Sequence, residues 1–511
     1  MSQPRLRAEA VGRAVLASAA VSTIFGIGSL GFYDDDWSWL ARMAGSADPS
    51  WLGTAAHFAR AETSLWFRPL NFLCLPGLFS LFGTSALPYH LVIAALIAWG
   101  GIAFWRWLEE EGFSRETSAL AALFFVLWPN HDAARHWICI YSSPAAMALT
   151  LEAVRMRRRR PLASALTLIA GGLLYEAAMT LALAPFFLEA WRARRRGLVP
   201  AIRSAAASCL PLLTGFTAVA VWQRALCPLW LHPERHPMSV HPGHALKVFY
   251  SGLECQVLNR LWHLLARQAS WAWSHFSPFD WLAWLAAASG LAFLCPRLLP
   301  AAADDEDAPA LAISLFVLGY APYILDKDYT PAVFSPINRI NFVPSLGAAL
   351  LAAWALRRLG ACGGRRARAA ALACAALFAA FLLATWPANA QWGEAARRQR
   401  QILDALAPRL GALPAGRATL LLYGFDNYIG TAPVFNSTYD LNAALALIRG
   451  SRDVKALIGQ GRVRFEDDRA VMSWFGDVDI PYKNLYIYRH DAGRFSAAPD
   501  RGAAEAFLAG R

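Results

Sequence analysis

Charged side chains are scarce in this chain of 511 residues: Asp, Glu, Lys and Arg make up 16% of it, against 57% hydrophobic residues. With a mean hydropathy of +0.33, this composition excludes an ordinary soluble enzyme and fits one polytopic membrane bundle with a modest tail. Metal-ligand cysteine motifs are missing as well. The eight cysteines are scattered, mostly in or beside apolar runs where they act as small hydrophobes, and no CxxC or Cys/His ligand spacing occurs. Only Cys227 and Cys255 share a long polar loop, where an oxidising compartment would permit, without requiring, a disulfide. No internal repeat of the kind many transporters carry is visible. Low-complexity segments are confined to Ala-rich helices, whose small residues allow close packing.

The charge that is present follows a pattern. A net charge of +12 and a pI near 9.5 would by themselves be compatible with a nucleic-acid partner. The arginines, however, gather in short clusters between apolar segments: Arg155 to Arg160, Arg192 to Arg196 and Arg357 to Arg368, with Arg5, Arg7 and Arg13 near the N-terminus. That is the positive-inside distribution, so these clusters read as solvated cytoplasmic anchors and no nucleic-acid partner is expected.

Membrane helices take roughly 17 to 25 residues, and about eleven spans are expected, starting near residues 12, 87, 117, 139, 161, 177, 203, 280, 309, 340 and 368. Every arginine cluster then falls on the N-terminal side, provided that Phe67 to Phe82, which holds Pro69 and Pro76, lies along the interface rather than crossing. The first apolar run, Val11 to Phe32, contains Ala17-Ser18-Ala19, which resembles a signal-cleavage site; its mid-run position favours an uncleaved anchor. The expected fold is thus an α-helical polytopic membrane bundle with interfacial helices over residues 1–388, followed by a small α/β domain over 389–511. Within the tail, Glu394 to Leu406 reads as helix, and Thr419 to Tyr423 as a strand entering the turn at Gly424. Asp440 to Ile448 reads as a second helix and Leu485 to Arg489 as another strand. Nothing in the tail reads as catalytic, and Asn436-Ser437-Thr438 matches a glycosylation sequon, a pattern short enough to arise by chance.

On this count the polar outer face begins with Phe32-Tyr33-Asp34-Asp35-Asp36-Trp37. A partly desolvated carboxylate at the lipid boundary can take a proton from a hydroxyl nucleophile, or the triplet can simply keep the helix end out of the bilayer. Arg68, in Trp66 to Asn71, and Arg339, in Ser335 to Ser345, would stand at phosphate level, binding phosphate oxygens or snorkelling to headgroups. Glu176 falls between two close-packed spans, where it could orient an acceptor, pair with an arginine such as Arg135, or make a structural hydrogen bond. The turn Trp128 to Trp137 offers Asn130, His131, Asp132 and Arg135 to sugar hydroxyls or phosphate, or serves only as a connection. His232, His236, His241 and His244 lack ordered ligand spacing and read as polar loop histidines rather than a metal site.

Taken together, these motifs resemble a known family. Asp35-Asp36 before Trp37, Arg68-Pro69-Leu70 followed by Phe82-Gly83 and His90, the His131 turn, Tyr175-Glu176, and Arg339 with Pro344-Ser345-Leu346-Gly347 are similar to the motifs of C-type (GT-C) membrane glycosyltransferases. The protein O-mannosyltransferase-like enzymes and the lipid A aminoarabinose transferases are the members they resemble. The resemblance implies a donor sugar on a polyprenyl phosphate, such as undecaprenyl phosphate. It also implies a cell-envelope acceptor hydroxyl on a glycan, lipid or protein, attacking in line with inversion. Carried over to this chain, Asp35 would be the base and Asp36 would orient the acceptor, with Asp34 leaving the assignment open by one position. Arg68, Arg339 and, more weakly, Lys327 would hold the leaving phosphate, while His131, Arg135 and Glu176 would bind substrate. No cofactor is expected; some members of the wider fold require a divalent metal, which the lack of a further outer acidic motif disfavours here. The implied setting is a bacterial inner membrane, with site and tail on the periplasmic side. The helical repeats that follow the membrane part of some relatives are absent. An O-antigen polymerase or ligase is the enzyme alternative. A lipid-linked sugar flippase or other transporter is the other, and would place charges along a mid-membrane path.

Overall fold

The computed structural model describes residues 8–230, 241–299, 305–411, 413–414, 418–449, 454–461, 463–473 and 477–510. Its first part is helical: α1 (Ala8–Ile24), α2 (Asp35–Ala44), α3 (Trp51–Ala61), α4 (Asn71–Phe82), α5 (Ala86–Glu110), α6 (Arg115–Leu127), the single turn α7 (Ala133–His136), α8 (Ser142–Met156), α9 (Pro161–Leu174), α10 (Ala184–Ala193) and α11 (Leu198–Val221). Then follow α12 (Cys227–Trp230), α13 (Pro242–Gln256), α14 (Asn259–His275), α15 (Pro278–Ala292), α16 (Cys295–Leu298), α17 (Ala308–Tyr320), α18 (Ser345–Ala361) and α19 (Gly364–Leu410).

Five helical runs among the described residues are long and apolar enough to cross a membrane: Ala86–Glu110, Leu198–Leu229, Pro278–Leu298, Ala308–Leu325 and Gly364–Leu410. The other six expected spans coincide with α1, α6, α8, α9, α10 and α18, none longer than 17 residues. At 1.5 Å per residue such a helix reaches at most about 26 Å, short of a hydrocarbon core of roughly 30 Å, so length alone does not make it a span. The expected interfacial segment becomes helical only from Asn71, after Pro69, and α4 is 12 residues long. The stretch expected as a long loop from Arg224 to Phe279 holds the short α12 and the longer α13 and α14, and leaves Cys227 and Cys255 as buried free thiols rather than a disulfide. His244 bonds the Tyr323 carbonyl at 3.1 Å; His232 and His236 lie outside the described residues.

The arginine clusters gather at one end of the bundle, but they are not simply solvated. Arg157, 4% exposed, meets Glu111 at 2.7 Å, and Arg155 bridges Glu110 and Glu152 at 2.9 and 2.6 Å. Arg192 meets Asp307 at 2.8 Å, and Arg357 meets Glu116 at 3.5 Å. These pairs tie the ends of α5, α8, α10 and α18 to the starts of α6 and α17. Because successive helices reverse direction, the opposite ends of the same helices define the other rim, where the acidic triplet lies.

Helix α19 joins the two parts of the molecule. It runs unbroken for 47 residues, about 70 Å at 1.5 Å per residue, so the expected boundary at 388/389 falls inside it. Beyond it come β1 (Ala418–Tyr423), β2 (Tyr428–Ile429), β3 (Ala432–Pro433), α20 (Thr438–Arg449), β4 (Val454–Ile458), β5 (Val463–Phe465), β6 (Arg469–Ser473), β7 (Asp477–Pro481), β8 (Leu485–Arg489), β9 (Arg494–Ala497) and α21 (Arg501–Leu508). The main sheet has the order β4-β1-β8-β9, with β4, β1 and β8 parallel and β9 antiparallel. Alternate residues of β1 face opposite sides. Leu420 and Leu422 pack with Leu403 and Leu406 of α19 and Leu441 of α20. Leu421 joins Met472 and Ile480 of the β5-β6-β7 meander. Burial on both faces explains why the strand reads as a nearly continuous apolar run.

Candidate active site

The acidic triplet is placed by close approach of the chain to α19. A Cβ at Gly31 would stand 2.8 Å from that of Ala396, so only glycine fits there, and the Tyr33 hydroxyl donates to the Trp392 carbonyl at 2.7 Å. The chain then turns at Asp34, which has φ +49 and ψ −119. For a residue other than glycine such a conformation costs on the order of 1–3 kcal/mol and persists only where the surroundings impose it.

The three carboxylates have different surroundings. Asp36 is 1% exposed and accepts from the backbone amides of Tyr33 (3.0 Å), Ile138 (3.2 Å) and Cys139 (2.7 Å). It fastens the start of α2 to the turn after α7. Burial raises it to about 7, opposed by the Cys139 thiol and by these amides. Asp34 accepts from the Tyr439 hydroxyl at 2.9 Å. Burial and the neighbouring Asp35 charge push it to about 6, while Tyr439, Asn436 and Arg339 act the other way. Asp35 alone of the three lines a cleft of about 340 Å³. Its carboxyl is also pushed above the usual range by burial, opposed by Tyr439 and by the charges of Arg339 and Arg42.

Three guanidinium groups share that cleft with Asp35, and two of them are neutralised. Arg42 pairs with Glu62. Arg68 makes a two-pronged contact with Glu176, Nε to Oε2 and Nη2 to Oε1, both at 2.7 Å, and lies 4.3 Å over the Tyr175 ring. Burial would raise Glu176, but the Arg68 charge and its hydrogen bonds outweigh this and hold the carboxyl below its usual range. Glu176 therefore pairs with Arg68, not with Arg135. Arg339 has a different environment: it donates to the Pro336 carbonyl (3.1 Å) and the Tyr329 hydroxyl (3.4 Å) and stacks 4.9 Å over Trp137. Among the described residues no carboxylate lies within ion-pair distance of it.

The remaining candidates stand elsewhere. His131 and Arg135 are 0% and 2% exposed. They contact each other at 3.3 Å, and Arg135 also donates to the Trp128 carbonyl at 3.3 Å; neither borders the cleft. Their neighbour Asp132 accepts from the Trp392 indole at 2.7 Å and from Asn338 and Thr431, so one buried carboxylate ties the turn before α7, the segment preceding Arg339, α19 and the β2–β3 hairpin together. Lys327 is exposed and not part of the cleft wall.

Sequence reasoning missed the aromatic wall formed by Trp39, Trp137, Tyr329 and Tyr439. Tyr439 comes from the tail domain, whose helix α20 packs along α2. A local signal existed: Ser437 and Asp440 form a reciprocal cap, Ser437 N to Asp440 Oδ1 at 3.3 Å and Asp440 N to Ser437 Oγ at 3.4 Å. This S-x-x-D pattern marks a helix start and hence where Tyr439 projects. Among the described residues no cluster of three or more His, Cys, Asp or Glu is placed to hold a metal ion.

No family model matches the chain, and no curated protein matches it. Among solved structures it is similar to the crystal structure of ArnT from Cupriavidus metallidurans bound to undecaprenyl phosphate. The identity is 13% and the TM-score 0.39, over 86% of this chain and 88% of that one. Likeness at this level assigns neither residues nor activity.

Proposed function

We propose that this protein is a membrane glycosyltransferase of the GT-C type, moving a sugar from a polyprenyl-phosphate carrier to a hydroxyl of a cell-envelope acceptor. One observation supports this reading above the others: Asp35 and Arg339, among the described residues the one carboxylate and the one guanidinium of the cleft without an opposite charge at ion-pair distance, line the same cavity. An acid and a cation so placed suit a reaction in which a proton leaves the nucleophile while negative charge grows on the leaving group.

In this reading the acceptor hydroxyl gives its proton to Asp35 as its oxygen bonds to the anomeric carbon. The bond from that carbon to the phosphate oxygen breaks, and its electron pair leaves with the phosphate. Arg339 binds the charge that develops there. Arg68 spends Nε and Nη2 on Glu176, which fixes its plane and leaves Nη1 directed by that pairing rather than by chance. The carboxyl of Asp35, raised by burial, is a stronger base than an exposed aspartate. Asp36 is read as structural, His131 and Arg135 as support beneath the cleft. The arginine-rich end opposite the cleft favours a cytoplasmic placement of that end, which would set the cleft and tail at the outer face of an inner membrane.

The test is transfer of labelled sugar from a polyprenyl-phosphate donor pool in membranes, comparing the intact chain with Asp35→Asn and Arg339→Gln at matched amounts of folded protein. Loss of transfer by 100-fold or more is expected in both. Full transfer by Asp35→Asn would overturn its role as base, and full transfer by Arg339→Gln would overturn the phosphate assignment.

A further inference from the structure

A second cavity, of about 560 Å³, opens in the tail domain, away from the catalytic cleft. Its position follows from the topology of the sheet. The chain leaves β1, crosses through α20 to β4 on one side, and later enters β8 on the other side of β1. In open α/β sheets the crevice beyond the carboxyl ends of strands at such a reversal is where ligands bind. The cavity is lined from just these ends: Gly424, Phe425 and Asp426 follow β1, Gln460 follows β4, and His490 and Asp491 follow β8. Gly424 has φ +77, and a Cβ there would come within 2.2 Å of the Asp491 carboxylate. The floor is therefore kept open by a residue that no side chain can replace.

Several chemical types meet in this cavity. Arg398 reaches in from α19, its only ion pair among the described residues being a loose contact of 3.7 Å with Glu394. Asp426 is exposed. Gln460 donates its amide to the Phe425 carbonyl, which leaves its oxygen as an acceptor. Asp491 is already engaged by Arg489 at 2.7 Å. His490, whose Nδ1 meets the Tyr488 hydroxyl at 3.5 Å, is held below its ordinary range by burial and by the Arg398 charge. One guanidinium set against one free carboxylate gives a site with little net charge, which suits neither a phosphate nor a metal cation. It suits a ligand rich in hydroxyl groups, with Phe425 and Ile429 facing its C–H bonds.

We infer that this cavity binds a neutral glycan. In the transferase reading, on which the word acceptor rests, it is a holding site for the acceptor. The β2–β3 hairpin carries Ile429 at the cavity and Thr431 on the buried Asp132. Asp132 in turn holds Asn338, the neighbour of Arg339, so the glycan site and the cleft share one rigid support.

The experiment is saturation-transfer NMR on the intact chain in detergent micelles. The probes are methyl α-mannoside, methyl β-galactoside and methyl N-acetyl-β-glucosaminide at millimolar concentration. At least one glycoside should give a signal that falls fivefold or more in an Arg398→Ala, Asp426→Asn double variant and stays unchanged in Asp35→Asn. Both replaced side chains are exposed, so the double variant should remain folded, checked by its unfolding temperature. Absence of signal for all three probes, or equal signal from the double variant, overturns the site. The readout needs no donor lipid. Binding without sugar transfer would therefore leave the glycan site standing and count against the transferase reading alone.

Discussion

Tyr439→Phe should move the pH dependence of sugar transfer without lowering its plateau. The phenol hydroxyl donates to Asp34 at 2.9 Å and opposes the rise of both the Asp34 and Asp35 carboxyls. A hydrogen bond to an ionised group contributes about 1.5–3 kcal/mol, and one pKa unit corresponds to about 1.4 kcal/mol, which sets a ceiling of about one to two units. Tyr439 is 43% exposed, so water takes over part of the hydroxyl's role, and about 0.5–1 unit is the expected shift. The sign follows from which form the hydroxyl stabilises. Removing it disfavours the carboxylates, raises the pKa of the pair, and moves the acid limb of kcat/KM to higher pH. Below the midpoint the reaction slows about three- to tenfold, because the ionised fraction falls tenfold per pH unit. Well above the midpoint both proteins should turn over alike. The assay is sugar transfer from the polyprenyl-phosphate donor between pH 5 and 9, with the unfolding temperature checked in parallel. An acid limb that stays in place, or a rate lowered equally at every pH, would refute the coupling between the tail domain and the acidic triplet.

Three further outcomes can be measured. Asp34→Asn should stabilise the protein at pH 8 and leave it unchanged at pH 3. A carboxyl held near 6 when folded, against its ordinary value of 3.8, contributes stability fully below the ordinary value and loses it as pH rises through 6; the gain at pH 8 is at most about 3 kcal/mol, read from thermal unfolding at the two pH values. Asp132→Ala strands the Trp392, Asn338 and Thr431 donors in a buried site at about 1–3 kcal/mol each, and should lower the unfolding temperature more than any other single change in the cleft region while releasing the tail domain to limited proteolysis. Arg339→Lys keeps the charge but loses the planar fork, so kcat should fall by about tenfold while Arg339→Gln falls further; equal activity of Lys and Arg would reduce the role to bulk charge.

How much of this was legible in the sequence depends on how local each cause is. The strand at Thr419 to Tyr423 and that at Leu485 to Arg489 were readable because an apolar run of five or six residues bounded by polar turns leaves few alternatives. The continuity of α19 was not. Hydropathy falls after Ala388, which looks like the end of a span, yet a helix backbone is indifferent to the polarity of its side chains, and Gln391 to Arg400 are mostly good helix formers. The division of labour between Asp35 and Asp36 was invisible for another reason. The two acids are neighbours of one type, and only the arrival of the Ile138 and Cys139 amides, about a hundred residues away in sequence, takes Asp36 out of the cleft. Arg68 and Glu176 were both singled out, but their pairing across 108 residues was not foreseen, since no periodicity links residues in different elements.

That pairing bears on what each arginine can contribute. Arg68 and Glu176 form a neutral unit, as do Arg42 and Glu62, and a neutral unit cannot offset the charge of a departing phosphate; it can only aim donors at it. Arg339 has no such partner among the described residues and feels the charge of Asp35 only from beyond ion-pair distance. The two kinds of arginine should therefore separate kinetically. In the proposed reaction, losing Arg339 would remove an interaction that strengthens as the phosphate leaves, and should appear in kcat. Glu176→Gln leaves Arg68 charged but no longer fixed in plane, so donor binding becomes stronger and less well oriented: KM for the donor falls together with kcat. A Glu176→Gln protein in which KM rose while kcat held would mean that Glu176 touches the substrate itself and that its pairing with Arg68 gives way when the donor binds.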